Sequence, residues 1–330
     1  MHTTQLGHSD LRITRIGLGA WAIGGEWLFG WGPQEDSDSV AVIRHAVERG
    51  LNWIDTAPAY GLGHSETIVG RALAEIPYGE RPYVFTKCSL TWDDQGTVTH
   101  TLRPDSIRRE IEGSLSRLGL DRIDLYQIHW PRWPSSPPDH DPGSIEDAWR
   151  TLADLQREGK IRHIGASNFD ADQLARVEAI APVTSLQPPY SALRRDIEAR
   201  ILPYCLAHGI GVIVYSPMQS GLLSGKMTRE RIAALPAGDW RRRARWFQEP
   251  ILTQALDLVE ILREIGGRYG RSPAEIAIAW ALHHPAITAA IVGARRPDQV
   301  DGFLGAADVE LSEQDLARID QSVGIARAAQ

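Results

Sequence analysis

The sequence predicts a (β/α)8 TIM barrel, an α/β fold of one domain over residues 1–330 with long loops at the carboxyl end of the barrel. Three observations predict it. Eight short apolar runs alternate with longer amphipathic segments, the rhythm that builds a parallel sheet. Several of those runs lack a polar/apolar alternation, as strands covered on both faces do. Six consecutive runs end in side chains that ionise or hydrogen bond, as strands do at the working rim of such a barrel. The same units in an open, doubly wound sheet are the main rival arrangement.

The strands are expected at residues 16–19, 51–54, 83–86, 123–128, 161–166, 184–186, 210–214 and 287–292. Helices are expected between and after them. The segment 36–49 opens with acids and stops at Gly50, and 65–73 follows a glycine turn. The segment 105–118 sits between Pro104 and Gly119, a proline at the start and a glycine past the end. Segments 144–158, 171–179, 196–207 and 254–269 continue the series, with two more helices around 272–283 and 297–304. Residues 21–34, with three tryptophans, and residues 218–250 are long insertions. Loops of that length in a compact domain are usually functional. Residues 131–142 are proline-rich and read as a third surface loop.

Hydrophobic residues at 43% and charged residues at 23% leave room for a sizeable core. A net charge of −7 points away from nucleic acid and from anionic membranes. Cys88 and Cys205 form neither a disulfide framework nor a zinc spacing, so no metal is expected. The first twenty residues carry no apolar signal-peptide core, and no stretch approaches the ~20 apolar residues of a membrane span. A reducing cytoplasm is the expected compartment. No helix shows a second apolar face, so a monomer is expected.

The run ends carry the chemistry. Strand two ends in Asp55, strand three in Lys87 and strand four in His129. Strand five ends in Ser167 and Asn168, strand six in Gln187, strand seven in Tyr215 and Ser216. Tyr60 lies five residues past Asp55 on a short loop that can lean over the barrel mouth. A phenol near its ordinary pKa of ~10 is a weak acid at neutral pH. A neighbouring ammonium is expected to lower it, with the aspartate holding that ammonium charged. Tyr60 can then give a proton to a carbonyl oxygen as hydride arrives, or take it back in reverse. His129 suits a neutral donor that orients the substrate oxygen.

These residues resemble the aldo-keto reductase superfamily. The run Asp55-Thr56-Ala57-Pro58-Ala59-Tyr60-Gly61, with Ser65-Glu66 and Val69-Gly70 after it, looks like that family's first signature. Leu118-Gly119 and the run from Asp121 to His129 look like the second. Gly159-Lys160-Ile161-Arg162 with Ile164-Gly165-Ala166-Ser167-Asn168-Phe169 looks like the third. The match runs from about Leu6 to about Leu316. Gln187-Pro188-Pro189-Tyr190 and His129-Trp130-Pro131 look most like the bacterial general-stress and inositol-locus reductases.

The resemblance implies a catalytic tetrad of Asp55, Tyr60, Lys87 and His129. It implies that Ser167, Asn168 and Gln187 bind the nicotinamide carboxamide and that Tyr215 stacks on its ring. Ser216, Met218, Ser220, Gly221 and Leu222 would line the pyrophosphate. Gly293, Arg295, Arg296 and Gln299 would reach the adenosine. Gly302 and Phe303 stand where the family usually has an acid and an asparagine for the adenine amine, and Phe303 cannot accept that hydrogen bond. Arg295 and Arg296 just before Pro297 suit a 2′-phosphate at a helix amino end. NADP(H) is therefore favoured over NAD(H).

Other patterns read more plainly. Gly17-Leu18-Gly19-Ala20-Trp21-Ala22 fits a relaxed dinucleotide fingerprint, but no helix pattern follows it. The run 221–227 is one residue short of a phosphate loop, and His64-Ser65-Glu66 lacks the cysteine pair of a zinc deaminase. Cys88 should point away from Lys87 and be inert. Trp21, Trp92 and Trp130, beside strand ends one, three and four, are expected as substrate-pocket walls. The basic run 241–245 reads as a solvated charge run. The leading expectation is an NADPH-dependent reductase of small-molecule aldehydes and ketones. A sugar or polyol dehydrogenase and a nicotinamide-sensing binding protein are the alternatives.

Overall fold

A computed structural model describes residues 2–327 except 26 and 28, with residues 325–327 described by their backbone alone. Eight parallel strands close into a barrel: β1 (Ile16–Gly19), β2 (Trp53–Asp55), β3 (Tyr83–Cys88), β4 (Ile123–Ile128), β5 (Ile161–Ser167), β6 (Ser185–Gln187), β7 (Gly211–Tyr215) and β8 (Ala289–Gly293). β8 pairs with β1, Ala290 opposite Ile16 and Gly293 opposite Gly19, which seals the ring. Every expected strand is present, so the open-sheet alternative falls.

Inside the ring Trp53, Phe85, Leu125, Ile213, Ala289 and Ile291 pack into one cluster with Leu6, Leu11 and Ile13. The last three belong to an amino-terminal hairpin, Thr3–Gln5 against Arg12–Thr14, that plugs the bottom of the barrel. Two three-residue strands make no apolar run, so this hairpin leaves no signal in the sequence. Trp53 fills the interior next to Gly17, where a Cβ would come within 2.1 Å of the indole. The glycines that resemble a dinucleotide fingerprint are therefore packing glycines, and a short 3-10 turn (Ala20–Ile23) follows them rather than a helix.

The outer ring comprises α1 (Asp36–Glu48), α2 (His64–Glu75), α3 (Pro104–Leu118), α4 (Ile145–Arg157), α5 (Ala171–Glu178), α6 (Ile201–Ala207), α7 (Arg229–Ala233), α8 (Ile251–Tyr269), α9 (Pro273–His283), α10 (Pro297–Leu304) and α11 (Glu313–Arg327). Capping fixes several ends. Asp170 and Ser272 form capping boxes at the starts of α5 and α9, and Gly119 ends α3 in the left-handed conformation. α9 is buried all round, between α8 and α10. Three expectations change. α6 starts at Ile201, because Asp196–Glu198 forms a separate 3-10 turn. α11 is an added helix whose buried Ile319 and Val323 join the outer core. A second hairpin, Leu90–Trp92 against Val98–His100, crosses the barrel top after β3.

The long insertion after β7 is not structureless. It carries the 3-10 turns Leu222–Ser224, Trp240–Arg243 and Arg245–Phe247 as well as α7. Together with residues 21–34 and 129–144 it roofs the carboxyl end of the barrel.

Candidate active site

The strands deliver their terminal polar side chains to one place. Lys87, fully buried, donates to Asp55 Oδ1 at 2.6 Å, to the Thr56 carbonyl at 2.9 Å and to Tyr60 Oη at 3.4 Å. All three ammonium protons are thereby used. Asp55 Oδ2 accepts from Gln187 Nε2 at 2.8 Å and from Gln127 Nε2 at 3.4 Å. A buried ion pair is tolerable only when its remaining hydrogen-bonding capacity is met like this.

Tyr60 is aimed by a tight turn after β2: its N–H donates to the Ala57 carbonyl and Gly63 N–H to that of Pro58. Gly61 has a φ of 61°, and a Cβ there would lie 1.7 Å from the Gly24 carbonyl oxygen. Only glycine lets the loop 21–34 ride this close over the tyrosine. The His129 ring stands edge-on to the Tyr60 ring at 5.8 Å.

The protonation states follow from burial. His129 is held well below its ordinary value by burial and by the Lys87 charge, so it is neutral near pH 7. Tyr60 departs from expectation: burial and then the Asp55 charge push the phenol up, and Lys87 does not reverse this. Asp55 largely cancels the field of Lys87 at the phenol, so Tyr60 stays protonated in this state. Cys88 is buried and its thiol is also pushed up, consistent with an inert core residue.

A cavity of about 1200 Å³ opens above this cluster. Of the expected catalytic residues, Asp55, Tyr60 and His129 line it, while Lys87 lies behind Tyr60. Ser167, Asn168, Gln187, Tyr215, Ser216, Met218, Ser220, Gly221, Gly293, Arg295, Arg296 and Gln299 also lie along its wall. Asn168, at a φ of 61°, donates to the His129 carbonyl at 3.0 Å and accepts from Tyr215 Oη at 2.9 Å. Leu222 is elsewhere: it is fully buried in the outer core, because the 3-10 turn it begins rotates its side chain inward.

Two of the three expected pocket tryptophans, Trp21 and Trp130, line the cavity. Trp92 does not. It stands at the end of the short hairpin strand Leu90–Trp92, with the Arg117 guanidinium over its ring at 5.8 Å. Sequence reasoning missed Trp27, Phe29, Trp31, Trp133 and Trp240, all of which line the same mouth. Their density in the insertions was the available signal. Trp240 stacks on Trp21 at 5.5 Å, and the Arg241 guanidinium lies 4.6 Å from the Trp31 ring centre. Arg241 is thus part of the cavity wall, paired with Asp239, and not merely a solvated charge. Gln127 was missed as well, although it shares the inward face of β4 with Leu125 and His129 by strand alternation.

At the far end, Gln299 Oε1 accepts the backbone N–H groups of Arg295 and Arg296. The Arg295 side chain turns onto the loop 21–34, bonding Gln34 and the Trp31 and Pro33 carbonyls. Arg296 is exposed and makes a two-pronged bond with Asp298, both contacts at 2.9 Å.

The groove fits a dinucleotide. Ser216, Gln219, Ser220 and Gly221 all have positive φ, and the chain after β7 coils tightly here, with the Gln219, Gly221 and Leu222 N–H groups donating within the turn, while Ser216, Ser220 and Gly221 line the groove. A Cβ added to Gly221 would meet nothing within 4 Å.

Fold and site define a (β/α)8-barrel oxidoreductase. The aldo/keto reductase family model matches residues 15–323, and the chain belongs to that family. It is 38% identical to aldo-keto reductase YhdN of Bacillus subtilis (strain 168) over 323 residues, covering 97% of this chain and 93% of the relative. It is 37% identical to the NADH-specific methylglyoxal reductase of Escherichia coli (strain K12) over 329 residues, 96% of each. Among solved structures it is similar to the glycerol dehydrogenase AKR11B4 from Gluconobacter oxydans, with a TM-score of 0.85, 38% identity, and coverage of 98% of this chain and 95% of that one.

Proposed function

We propose that the protein reduces aldehydes and ketones to alcohols, with Tyr60 as the proton donor. The observation that carries this is geometric: Tyr60 and His129 line one cavity with their rings 5.8 Å apart, and Lys87 Nζ lies 3.4 Å behind Tyr60 Oη; burial and Asp55 keep that phenol protonated beside neutral His129. A bound reduced nicotinamide supplies the hydride. Tyr60 Oη and the His129 imidazole hold the substrate carbonyl oxygen. Oη gives up its proton as negative charge develops there, and Lys87, 3.4 Å away, stabilises the phenolate left behind. Asp55, gripped by Gln187 and Gln127, keeps Lys87 in place. The aromatic walls exclude water from the transfer.

Along the groove, Ser167, Asn168 and Gln187 would take the carboxamide and Tyr215 the ring face. Asn168 would then exchange its bond to Tyr215, while Gln187 keeps its Nε2 bond to Asp55 and offers its carbonyl oxygen. Ser216, Met218, Ser220 and Gly221 would hold the pyrophosphate. We further propose NADP(H) over NAD(H), with the 2′-phosphate on Arg296. Arg295 is committed to the loop 21–34, so the preference rests on one arginine that Asp298 already engages. The E. coli relative named as NADH-specific makes this the point to test. Run in reverse, the same residues oxidise an alcohol, and the glycerol dehydrogenase neighbour supports that second reading. Among the described residues no helix is long and apolar enough to cross a membrane. We take the working form to be a cytoplasmic monomer acting on a small molecule.

Turnover of a simple aldehyde with NADPH tests the proposal and separates it from a cofactor-sensing role. Tyr60→Phe should keep cofactor binding and lose about 10²–10⁴ in rate. A variant within about tenfold of the wild type would place the acid elsewhere.

A further inference from the structure

Behind β3, outside the cavity, lies a buried carboxylate that the mechanism above does not use. Glu110 sits on the inner face of α3 and is about nine-tenths buried. Its Oε2 accepts the backbone N–H of Ser89 at 2.8 Å, and its Oε1 accepts Ser106 Oγ at 3.1 Å. Ser89 follows the strand that carries Lys87 and has a φ of 82°, a left-handed conformation that is unfavourable for a non-glycine residue. The turn it makes is fully buried.

The Ser89 hydroxyl in turn meets the His129–Trp130 segment. Trp130 N–H donates to Ser89 Oγ at 3.3 Å, and the hydroxyl lies 3.4 Å from the Trp130 carbonyl oxygen. His129 N–H donates to the Cys88 carbonyl at 3.0 Å. The rings of His129 and Trp130 stack at 6.4 Å, and both line the cavity.

We propose that Glu110 is a positioning residue for the active site: its carboxylate clamps the left-handed Ser89, and Ser89 fixes the His129–Trp130 segment against which the substrate sits. This rests on the reductase reading of that site. The chain is short: a buried 2.8 Å bond from the Ser89 N–H to Glu110, then two half-buried contacts of 3.3 and 3.4 Å between Ser89 Oγ and Trp130. A displacement of about 1 Å at the reacting groups can cost on the order of 10² in rate, so a loosened turn would be felt.

The clamp is also titratable. Burial raises Glu110 to about 7, while Ser106, the Ser89 N–H and Arg109 act to lower it. The groups facing it are Cys88 from β3, Tyr126 from β4, Glu66 from α2 and Arg109 on its own helix. Cys88 and Tyr126 are pushed far above neutrality. Glu66 is held by Arg117 and Thr86. Near Trp130 stands His100, whose ring meets the Trp130 carbonyl at 2.9 Å and which burial lowers further below neutrality. His140 and Arg132 lie beyond it. Above its pKa Glu110 offers Ser89 a charged acceptor; below it, a weaker neutral carbonyl.

The test uses the full chain labelled with 5-fluorotryptophan, the Trp130 resonance being assigned by its loss in Trp130→Phe. In the wild type that resonance should shift with a midpoint near the Glu110 value of about 7. The shift should vanish in Glu110→Gln, which cannot ionise, and in Ser89→Ala, which cuts the link while leaving Glu110 to titrate. A Trp130 resonance that titrates identically in all three proteins, or in none, overturns the proposal. In parallel, kcat/KM for an aldehyde should fall between about pH 8 and about pH 6 more steeply in the wild type than in Glu110→Gln, with cofactor affinity unchanged. Superimposable profiles overturn it as well. A wild type without any turnover would instead sink the reductase reading, and the fluorine signal would still decide the role of Glu110.

Discussion

Tyr60 and Lys87 show how neighbours at the residue scale reverse a simple electrostatic expectation. A lone ammonium beside a phenol lowers its pKa. Here Asp55 sits 2.6 Å from that ammonium, so the pair is close to neutral as seen from Tyr60 and burial dominates. The phenol is thereby a donor at rest and becomes an acceptor only when the substrate oxygen has taken its proton. The adenosine end holds a similar contest. Arg296 offers a phosphate partner, yet Asp298 occupies its Nε–Nη2 edge. Arg296→Ala should weaken NADPH binding by about 1.5–3 kcal/mol and leave NADH nearly unchanged. Asp298→Asn should shift preference toward NADPH, because a carboxylate repels a 2′-phosphate and its amide does not. Fluorescence titration with each cofactor measures both. Equal losses for the two cofactors in Arg296→Ala would remove the 2′-phosphate from this residue.

At the scale of elements, the two longest insertions meet across the barrel mouth. Trp240 stacks on Trp21, and Arg241 rests on Trp31. Residues 218–250 thus form a strap whose far side is fastened to the loop 21–34 by aromatic contacts. Each such aromatic pair is worth about 0.5–1.5 kcal/mol, enough to bias the strap closed and little enough to let it open. Arg242, Arg243 and Arg245 are exposed on it. Arginine-directed cleavage there should be slow in the wild type, faster in Trp240→Ala, and slowed in both by saturating NADPH. Cleavage at one rate under all four conditions would make the segment a fixed rim rather than a lid.

For the molecule as a whole, Glu110 sets position against stability. Its carboxyl is raised to about 7 when folded, against an ordinary value of ~4.3 when unfolded. A raised folded pKa means that the native state gains proton-linked stability below the unfolded value and loses it as pH rises through the folded one. Folding therefore bears the full cost of the buried charge above about pH 7. Glu110→Gln should be more stable than the wild type at about pH 8 by up to about 4 kcal/mol, and the difference should vanish near pH 4. Urea unfolding at the two pH values checks this. A difference of the same size at both would mean that the charge is not the cause.

Much of this protein was legible in its sequence because the barrel repeats one local rule. An apolar run must be a buried strand, an amphipathic run must cover it, and the residue ending each strand must face the rim. Asp55, Lys87, His129, Asn168 and Gln187 could be placed on that rule alone, and the signature residues around them pointed to the family. Spacing could not place what depends on contacts between distant segments. The amino-terminal hairpin is a plug only because the barrel has a bottom to fill. Trp92 left the pocket because a hairpin ends there, and Leu222 because a 3-10 turn rotates it inward. The aromatic mouth exists because two insertions roughly two hundred residues apart in sequence fold over the same opening. Protonation belongs to this second kind of fact. The sequence determined which groups could ionise, but burial and the partner within hydrogen-bond reach set whether they do, and only the tertiary structure decides those.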